Sequence, residues 1–409
     1  MEQTLYSKKY SGASFSKMSF KAGGLLEIEI YLLFFTGIIT SLTSVLPFSS
    51  YLNRLIMGLY LILSLFLILK KAKAGSFLFL ICLFGLLFVD IIISGASIRK
   101  INDLFYFPLW SLNLLVFVFY YDELKNVIKR KHRLFFIFAV LWNIINLSSV
   151  IYPGSFILSN NIKAFVGFAG QAHRFSETAL MALLFGAIEY SVTRKKRVFL
   201  LMIFPILSTY LSGARTYLIV ALLFALFMMW CFSRKKIIKF IILFGGIVFV
   251  AYAGFYMTSM RMGTQDYAWQ IANYGTLHFI TSGRSDFWQI DLEHFFTSPY
   301  INIMIGNGYN YVYEINELFY NSPIYAHNDY INILLAHGFI GLLMFLGTFI
   351  SFISAISKRV HIKKIYLLFY LAIVIFNASF NMVYTYAVAS LITPIFGMAM
   401  IDIFDEKQH

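Results

Sequence analysis

The sequence predicts an all-α polytopic integral membrane protein, with about 12 transmembrane helices and a large extracytoplasmic loop between spans 9 and 10. Three observations lead there. Hydrophobic residues make up 60% of the chain and charged ones only 13%, more apolar surface than a soluble domain of 409 residues can bury. The apolar residues fall in runs of bilayer-spanning length, which inside lipid must satisfy their own backbone as helices. The basic residues between the runs cluster on alternate connections, as the positive-inside rule requires.

Taken in order, the runs cover about 30–46, 52–69, 76–94, 104–121, 134–151, 175–191, 198–213, 215–232, 237–257, 329–356, 365–382 and 384–402. Residues 1–29 are polar and basic, with Lys8, Lys9, Lys17 and Lys21, and read as a cytoplasmic tail with no cleavable leader. Spans 1–9 then occupy 30–257, and the first serves as its own insertion signal. Further basic clusters stand at Lys70–Lys73, Lys125–Arg133, Arg194–Arg197, Arg234–Lys239 and Lys358–Lys364, all on the cytoplasmic side of this scheme. The opposite side holds only Arg54, Arg99, Lys100, Lys163, Arg174, Arg215, Arg261 and Arg284. Both termini are therefore expected in the cytoplasm, with the last three spans in 329–402 and a short tail at 403–409. The net charge of +14 belongs to this topology, so nucleic acid is not expected as a partner. Cys82 and Cys231 lie inside apolar runs and read as small packing residues, supplying neither a disulfide nor a zinc site.

Two extracytoplasmic loops are long, about 152–174 and 258–328. The second carries Trp269, Phe287, Trp288, Phe295 and Phe296, which suggests a folded cap. Within it, Ser285–Phe296 has apolar residues at helical spacing and reads as an amphipathic helix on the membrane surface. Gly306-Asn307-Gly308 marks a tight turn. A helix is expected from near Pro323 to about Ala355, placing His327 at the mouth of a span. Gly338 and Gly341 would share one face of it and admit a second helix closely.

The chemistry is sought among the few extracytoplasmic cations. Arg215 sits in Ser212-Gly213-Ala214-Arg215, a short hairpin between two spans, and Arg284 in Ser282-Gly283-Arg284, just before the amphipathic helix. Arg174 stands at the outer mouth of a span, in Gln171-Ala172-His173-Arg174-Phe175-Ser176-Glu177. A guanidinium offers a planar fork of donors that fits phosphate oxygens. For each arginine alone, pairing with a local carboxylate or snorkelling to headgroups is the plainer reading. Together with His327 they would make an outer-face pocket suited to a lipid-borne diphosphate. His337, Asp90, Asp286, Asp291 and Glu293 carry plainer readings: a buried hydrogen-bonded imidazole, a helix-end acid that caps or meets Arg99, and a solvated helix face.

These residues resemble a known family. His327-Asn328, nine residues, Gly338, two residues, Gly341 is similar to the signature of the O-antigen ligase and Wzy-type polysaccharide polymerase superfamily. Ser-Gly-x-Arg at Arg215 and Ser-Gly-Arg before Trp288 resemble its two loop arginines. The resemblance implies a bacterial inner-membrane glycosyltransferase with its site on the extracytoplasmic face. Its donor and acceptor would be oligosaccharides on undecaprenyl diphosphate, with membrane lipid around it and a chain-length regulator as partner.

Arg215 and Arg284 would hold the departing diphosphate, and His327 would orient or deprotonate the acceptor hydroxyl. Two guanidiniums in that role call for no metal and no cofactor. Arg174 and Glu177 resemble a polar Arg…Glu element of capsule-type polymerases and are candidates for substrate binding. Asn328 and Tyr330 are candidates to touch sugar or to cap the helix. A polymerase is the first expectation and a ligase the second. A transporter of the same lipid-linked sugars, the alternative from another class, fits less well, because the charges fall at the two faces rather than mid-membrane.

Overall fold

A computed structural model describes residues 22–94, 106–159, 162–233, 235–261, 267–281, 283–321, 323–359, 364–380 and 397–404. The chain is an all-α membrane protein. Eight helices among the described residues are long and apolar enough to cross a bilayer. Before the cap come α1 (Ala22–Ser41), α2 (Ser49–Lys71), α3 (Ala74–Ser94), α4 (Tyr106–Arg130), α5 (His132–Ser149), α6 (Ala172–Thr193), α7 (Leu200–Leu211), α8 (Arg215–Phe232) and α9 (Lys236–Arg261). The cap holds α10 (Tyr267–Thr281), α11 (Arg284–Phe296), α12 (Tyr300–Ile305) and α13 (Tyr311–Tyr320). The chain then returns through α14 (Asp329–Arg359) and α15 (Lys364–Phe380). Most of the last expected run, 384–402, lies outside the described residues; 397–404 is helical up to Phe404.

The helix at the centre is α6. Nearly every side chain from Phe175 to Ile188 is buried, and many are small, which lets α1, α5, α7 and α8 close around it. At the opposite extreme α9 touches the rest of the bundle along one line against α8, where Gly246 and Gly254 meet Leu226 and Ile219. The connection before α6 forms a small antiparallel hairpin, β1 (Phe156–Ser159) with β2 (Ile162–Phe165), in which Phe156 pairs with Phe165.

The bundle contains more buried charge than the sequence suggests. Helix α1 starts at Ala22, not near Ile30, so Glu29 lies inside it; Glu29 is 4% exposed and bonded to Ser64 Oγ at 2.8 Å. Asp90 on α3 and His337 on α14 are also buried, with Oδ2 and Nδ1 2.6 Å apart. Phe107 stacks on that imidazole with ring centroids 5.0 Å apart. So His337 is buried as expected, with the Asp90 carboxylate beside its ring. The Arg99 contact considered for Asp90 falls outside the described residues.

The long motif helix differs from its expected form at two points. It starts at Asp329 rather than near Pro323, because Asn328 caps it: Asn328 Oδ1 accepts the N–H groups of Tyr330 at 3.0 Å and Ile331 at 3.1 Å. It also breaks at Gly338, where φ is +64°. The break releases the carbonyls of Leu335 and Ala336, which accept the N–H groups of Asn307 and Gly308, each at 3.0 Å. Gly338 therefore admits a close neighbour, but the neighbour is the 304–306 main chain and not a second helix. Gly306, with φ +93°, is the matching partner: a Cβ there would run into the Ala336 carbonyl.

Two substitutions separate this lock from ordinary helix propensity. Gly306→Ala imposes both a left-handed φ and a main-chain clash, and is expected to cost upward of ~1–3 kcal/mol. Gly347→Ala, in open space on the same helix, is expected to be neutral or slightly stabilising. Thermal unfolding of the two purified variants in one detergent reads the difference; equal melting temperatures would remove the lock.

Candidate functional site

The cap-side ends of α6, α8, α11 and α14 carry the candidate residues. The turn before α8 is built by Ser212 and Gly213. Gly213 takes φ +68°, while Ser212 Oγ accepts Ala214 N–H at 3.2 Å and pairs with Ser176 Oγ of α6 at 2.8 Å. That turn makes Arg215 the first residue of α8, buried at 6% exposure. Its Nη2 donates to Ile280 O near the end of α10 at 2.7 Å.

A similar turn precedes α11. Gly283 N–H donates to His278 O at 2.9 Å, and Thr281 Oγ1 accepts Ser285 N–H at 3.1 Å. Arg284 becomes the first residue of α11, and its Nη1 donates to Phe380 O at the end of α15. Both carbonyls belong to residues that line one cavity of about 490 Å³ with Arg215 at its rim. Its walls are Thr216, Ile219 and Leu223 of α8, one face of α9 from Ile247 to Phe255, Phe279 of α10 and Phe376 of α15. Ile219 and Leu223 lie one and two turns below Arg215, so the cavity follows α8 for roughly 12 Å at about 1.5 Å per residue. The result is a guanidinium at the mouth of an apolar trough. Arg215 lines the trough directly; Arg284 reaches its wall through Phe380.

His327 stands outside the helix, in a left-handed conformation with φ +55°. A residue with a Cβ is strained there, and the neighbours hold it. Trp288 of α11 donates its indole N–H to Ala326 O at 2.5 Å. On the other side the His327 ring centroid is 6.0 Å from that of His173 on α6, which is in turn 6.0 Å from that of Tyr217 on α8. The His173 ring thus neighbours both the Tyr217 and the His327 rings. The sequence reading passed over His173 and Tyr217. The signal was present in His173, which directly precedes Arg174 in the polar stretch at the head of α6.

The other expected residues are placed as follows. Arg174 is partly buried in the first turn of α6, and Glu177 is buried one turn past His173. Asn328 spends its side-chain oxygen on the helix cap. Tyr330 turns inward, edge-on to Phe345 at 5.8 Å. Helix α11 runs over Arg284–Phe296, as the pattern predicts. Its apolar face, however, packs on protein: Trp288, Leu292 and Phe295 join Ala326, Leu334 and Leu335 in a cluster of their own. Asp291 sits on that face, fully buried near Asn316 of α13, and was misread as a surface acid. Burial pushes its carboxyl up to about 7.

Residues 198–346, from just before α7 to the middle of α14, match the Wzy_C family model, described as O-antigen ligase. No curated protein matches the chain. The resemblance read from His327, Gly338, Gly341 and the two arginine turns is borne out by this match. The matched stretch contains Arg215, Arg284 and His327 together.

The buried Asp291 generates a pH prediction. Its folded-state pKa lies above the unfolded value near 3.8, so the folded form binds the extra proton. Stability is then highest below about pH 4 and falls as pH rises toward about 7, by up to a few kcal/mol. Asp291→Asn keeps the shape and removes the titration. Its melting temperature is expected to exceed that of the wild type at pH 7.5 and to match it at pH 4. Parallel melting curves across that range would refute the burial argument.

Proposed function

We propose that the protein is a Wzy-type polysaccharide polymerase, moving a growing glycan from undecaprenyl diphosphate to a sugar hydroxyl of a new lipid-linked repeat unit. The observation that carries this reading is the guanidinium at the head of the apolar trough. A polyprenyl diphosphate has the same profile: a doubly charged head that wants planar donors, and a hydrocarbon tail that wants an apolar channel. With basic clusters on the cytoplasmic side, this end of the bundle is extracytoplasmic, in the inner membrane of a bacterium.

The roles follow from the reaction. The acceptor oxygen attacks the anomeric carbon, the bond from that carbon to the phosphate oxygen breaks, and the electron pair leaves on the diphosphate. Arg215 and Arg284 stabilise that charge in a water-poor site. His327 takes the acceptor proton. Neutral imidazole is the form a base requires. Arg174 and Glu177 contact the substrate from the head of α6. With Asn328 engaged as a cap and Tyr330 turned to Phe345, we reserve direct sugar contact for other residues.

A ligase that transfers the finished glycan to lipid A core sugar is the second reading, favoured by the description of the matching family. The same groups would serve both reactions, since only the acceptor differs. Transport of the intact lipid-linked sugar would leave the strained His327 without a task.

His327→Ala, Arg215→Ala and Arg284→Ala are each expected to lower glycan transfer by at least ~100-fold with the protein still present in the membrane. Gel analysis of the cell-surface glycan reads the result and sorts the reactions. A lost polymerase leaves single repeat units at the surface, whereas a lost ligase strands long chains on the carrier. Full-length glycan in all three variants would defeat both.

A further inference from the structure

We propose that His278 is a positioning residue for the transfer reaction: its ring N–H, bonded to the Asp286 carboxylate, closes the turn between α10 and α11 and so sets the two arginines against each other. The inference rests on the glycosyl-transfer reading above. It adds a residue outside the motifs, which acts through Arg215 and Arg284 rather than on the reacting atoms.

Position is the first argument. His278 Nδ1 lies 2.8 Å from Asp286 Oδ2. His278 O also accepts the Gly283 N–H at 2.9 Å, so main chain and side chain close the same turn. Ile280, two residues past His278, offers the carbonyl to which Arg215 donates at 2.7 Å. Arg284, two residues before Asp286, donates to Phe380 O. The point that holds one guanidinium and the residue that carries the other thus both fall inside the segment that His278 and Asp286 close. A shift of one end of that segment against the other changes the spacing of the two cations.

The second argument is that this segment needs a clasp. Helix α10 breaks at Gly275, where φ is +88°, and the chain turns again at Gly283, where φ is +80°. The helical piece between them is too short to be stable alone. Of its apolar side chains only Phe279 is buried, with Phe255 of α9 beside it; Leu277 and Ile280 are exposed. Tyr274 stacks on the His278 ring at 4.9 Å and fixes its plane. Ser285 Oγ donates to Asp286 Oδ1 at 3.1 Å, which leaves Oδ2 for His278. Nδ1 carries the shared proton in either charge state of the ring. A half-exposed pair of this kind adds little to global stability. Misplacing a charge-stabilising group by about 1 Å, in contrast, costs up to about 100-fold in rate. Holding the cap together is the plainer role, and it predicts unchanged turnover per folded molecule.

The test uses the full-length protein in lipid, with a lipid-linked oligosaccharide as donor and acceptor, and hydrogen exchange of peptides covering 278–286. His278→Phe keeps a ring on Tyr274 and removes the donor. His278→Asn keeps an N–H donor near the place of Nδ1 and loses the ring. Turnover of His278→Phe is expected to fall at least about tenfold, the cost of a small misplacement. Its acceptor KM and melting temperature should stay close to those of the wild type, while exchange at Gly283 and Ser285 speeds up. His278→Asn should recover most of the turnover and the protection. Added to Arg284→Ala, His278→Phe should cost less than about twofold more, because the spacing it sets is already gone. Wild-type turnover in His278→Phe overturns the proposal. So does an Asn variant no better than the Phe variant, an undiminished loss on top of Arg284→Ala, or a loss confined to the acceptor KM. Failure of the underlying reading looks different: the wild type itself then joins no sugars, while exchange at 278–286 still reports whether His278 holds the turn.

Discussion

Leu335 and Ala336 hand their carbonyls to the amides of Asn307 and Gly308, and the position of the site depends on that exchange. A buried helix break normally strands main-chain acceptors inside an apolar bundle, at a cost of about 1–3 kcal/mol each. Here a loop from the cap supplies the missing donors, so the break and the loop require each other. Neither glycine can be replaced piecemeal. Gly338 must turn left-handed, and Gly306 must let the Ala336 carbonyl approach to main-chain distance. The half-helix Asp329–His337, with its Asn328 cap and the preceding His327, is thereby fixed to the cap at one end and to α3 through His337 and Asp90 at the other.

Helix α11 transmits this order to the arginines. Its buried face docks on Ala326 and Leu335, and the Trp288 indole holds the chain one residue before His327. Its first residue, Arg284, reaches the end of α15, while the end of α10, just before it in sequence, accepts the bond from Arg215. Three segments distant in sequence are therefore positioned by one short helix. Each carbonyl helps to fix the plane of the guanidinium that donates to it.

The parts of the fold that were legible in the sequence are those that lipid enforces. A span must be a long apolar run, so α2, α3, α5 and α8 fall within a few residues of their expected limits. Arg215 and Arg284 were legible because a cation on the wrong side of the charge pattern needs a reason. What stayed hidden depends on distant partners. A glycine in an apolar run looks the same whether it packs a helix or breaks one, and only the 304–308 loop decides for Gly338. Asp291 reads as polar on a helix that was expected on a membrane surface, and its burial follows from α13 and α14 folding over it. Glu29 was assigned to a tail because the apolar count begins at Ile30, yet Leu25 and Leu26 are already buried. His173 has no signature of its own; only the fold sets its ring beside those of His327 and Tyr217.

One electrostatic feature argues for an anion at this place on grounds separate from the motif. Arg215 and Arg284 are the first residues of their helices, Arg174 is in the first turn of a third, and His327 lies just before a fourth. Helix N-termini carry partial positive charge, so a cation there is unfavourable by roughly 0.3–1 kcal/mol, and more where water is excluded. Acids stand at two of the same ends, Asp286 in the first turn of α11 and Asp329 as the first residue of α14, as the dipole favours. On the proposed reading, a diphosphate arriving on its lipid would add negative charge beside these ends, and more of it as the glycosidic bond breaks. The cost of the cations would then become a difference in binding between the ground state and the transition state, which is the quantity a catalyst needs.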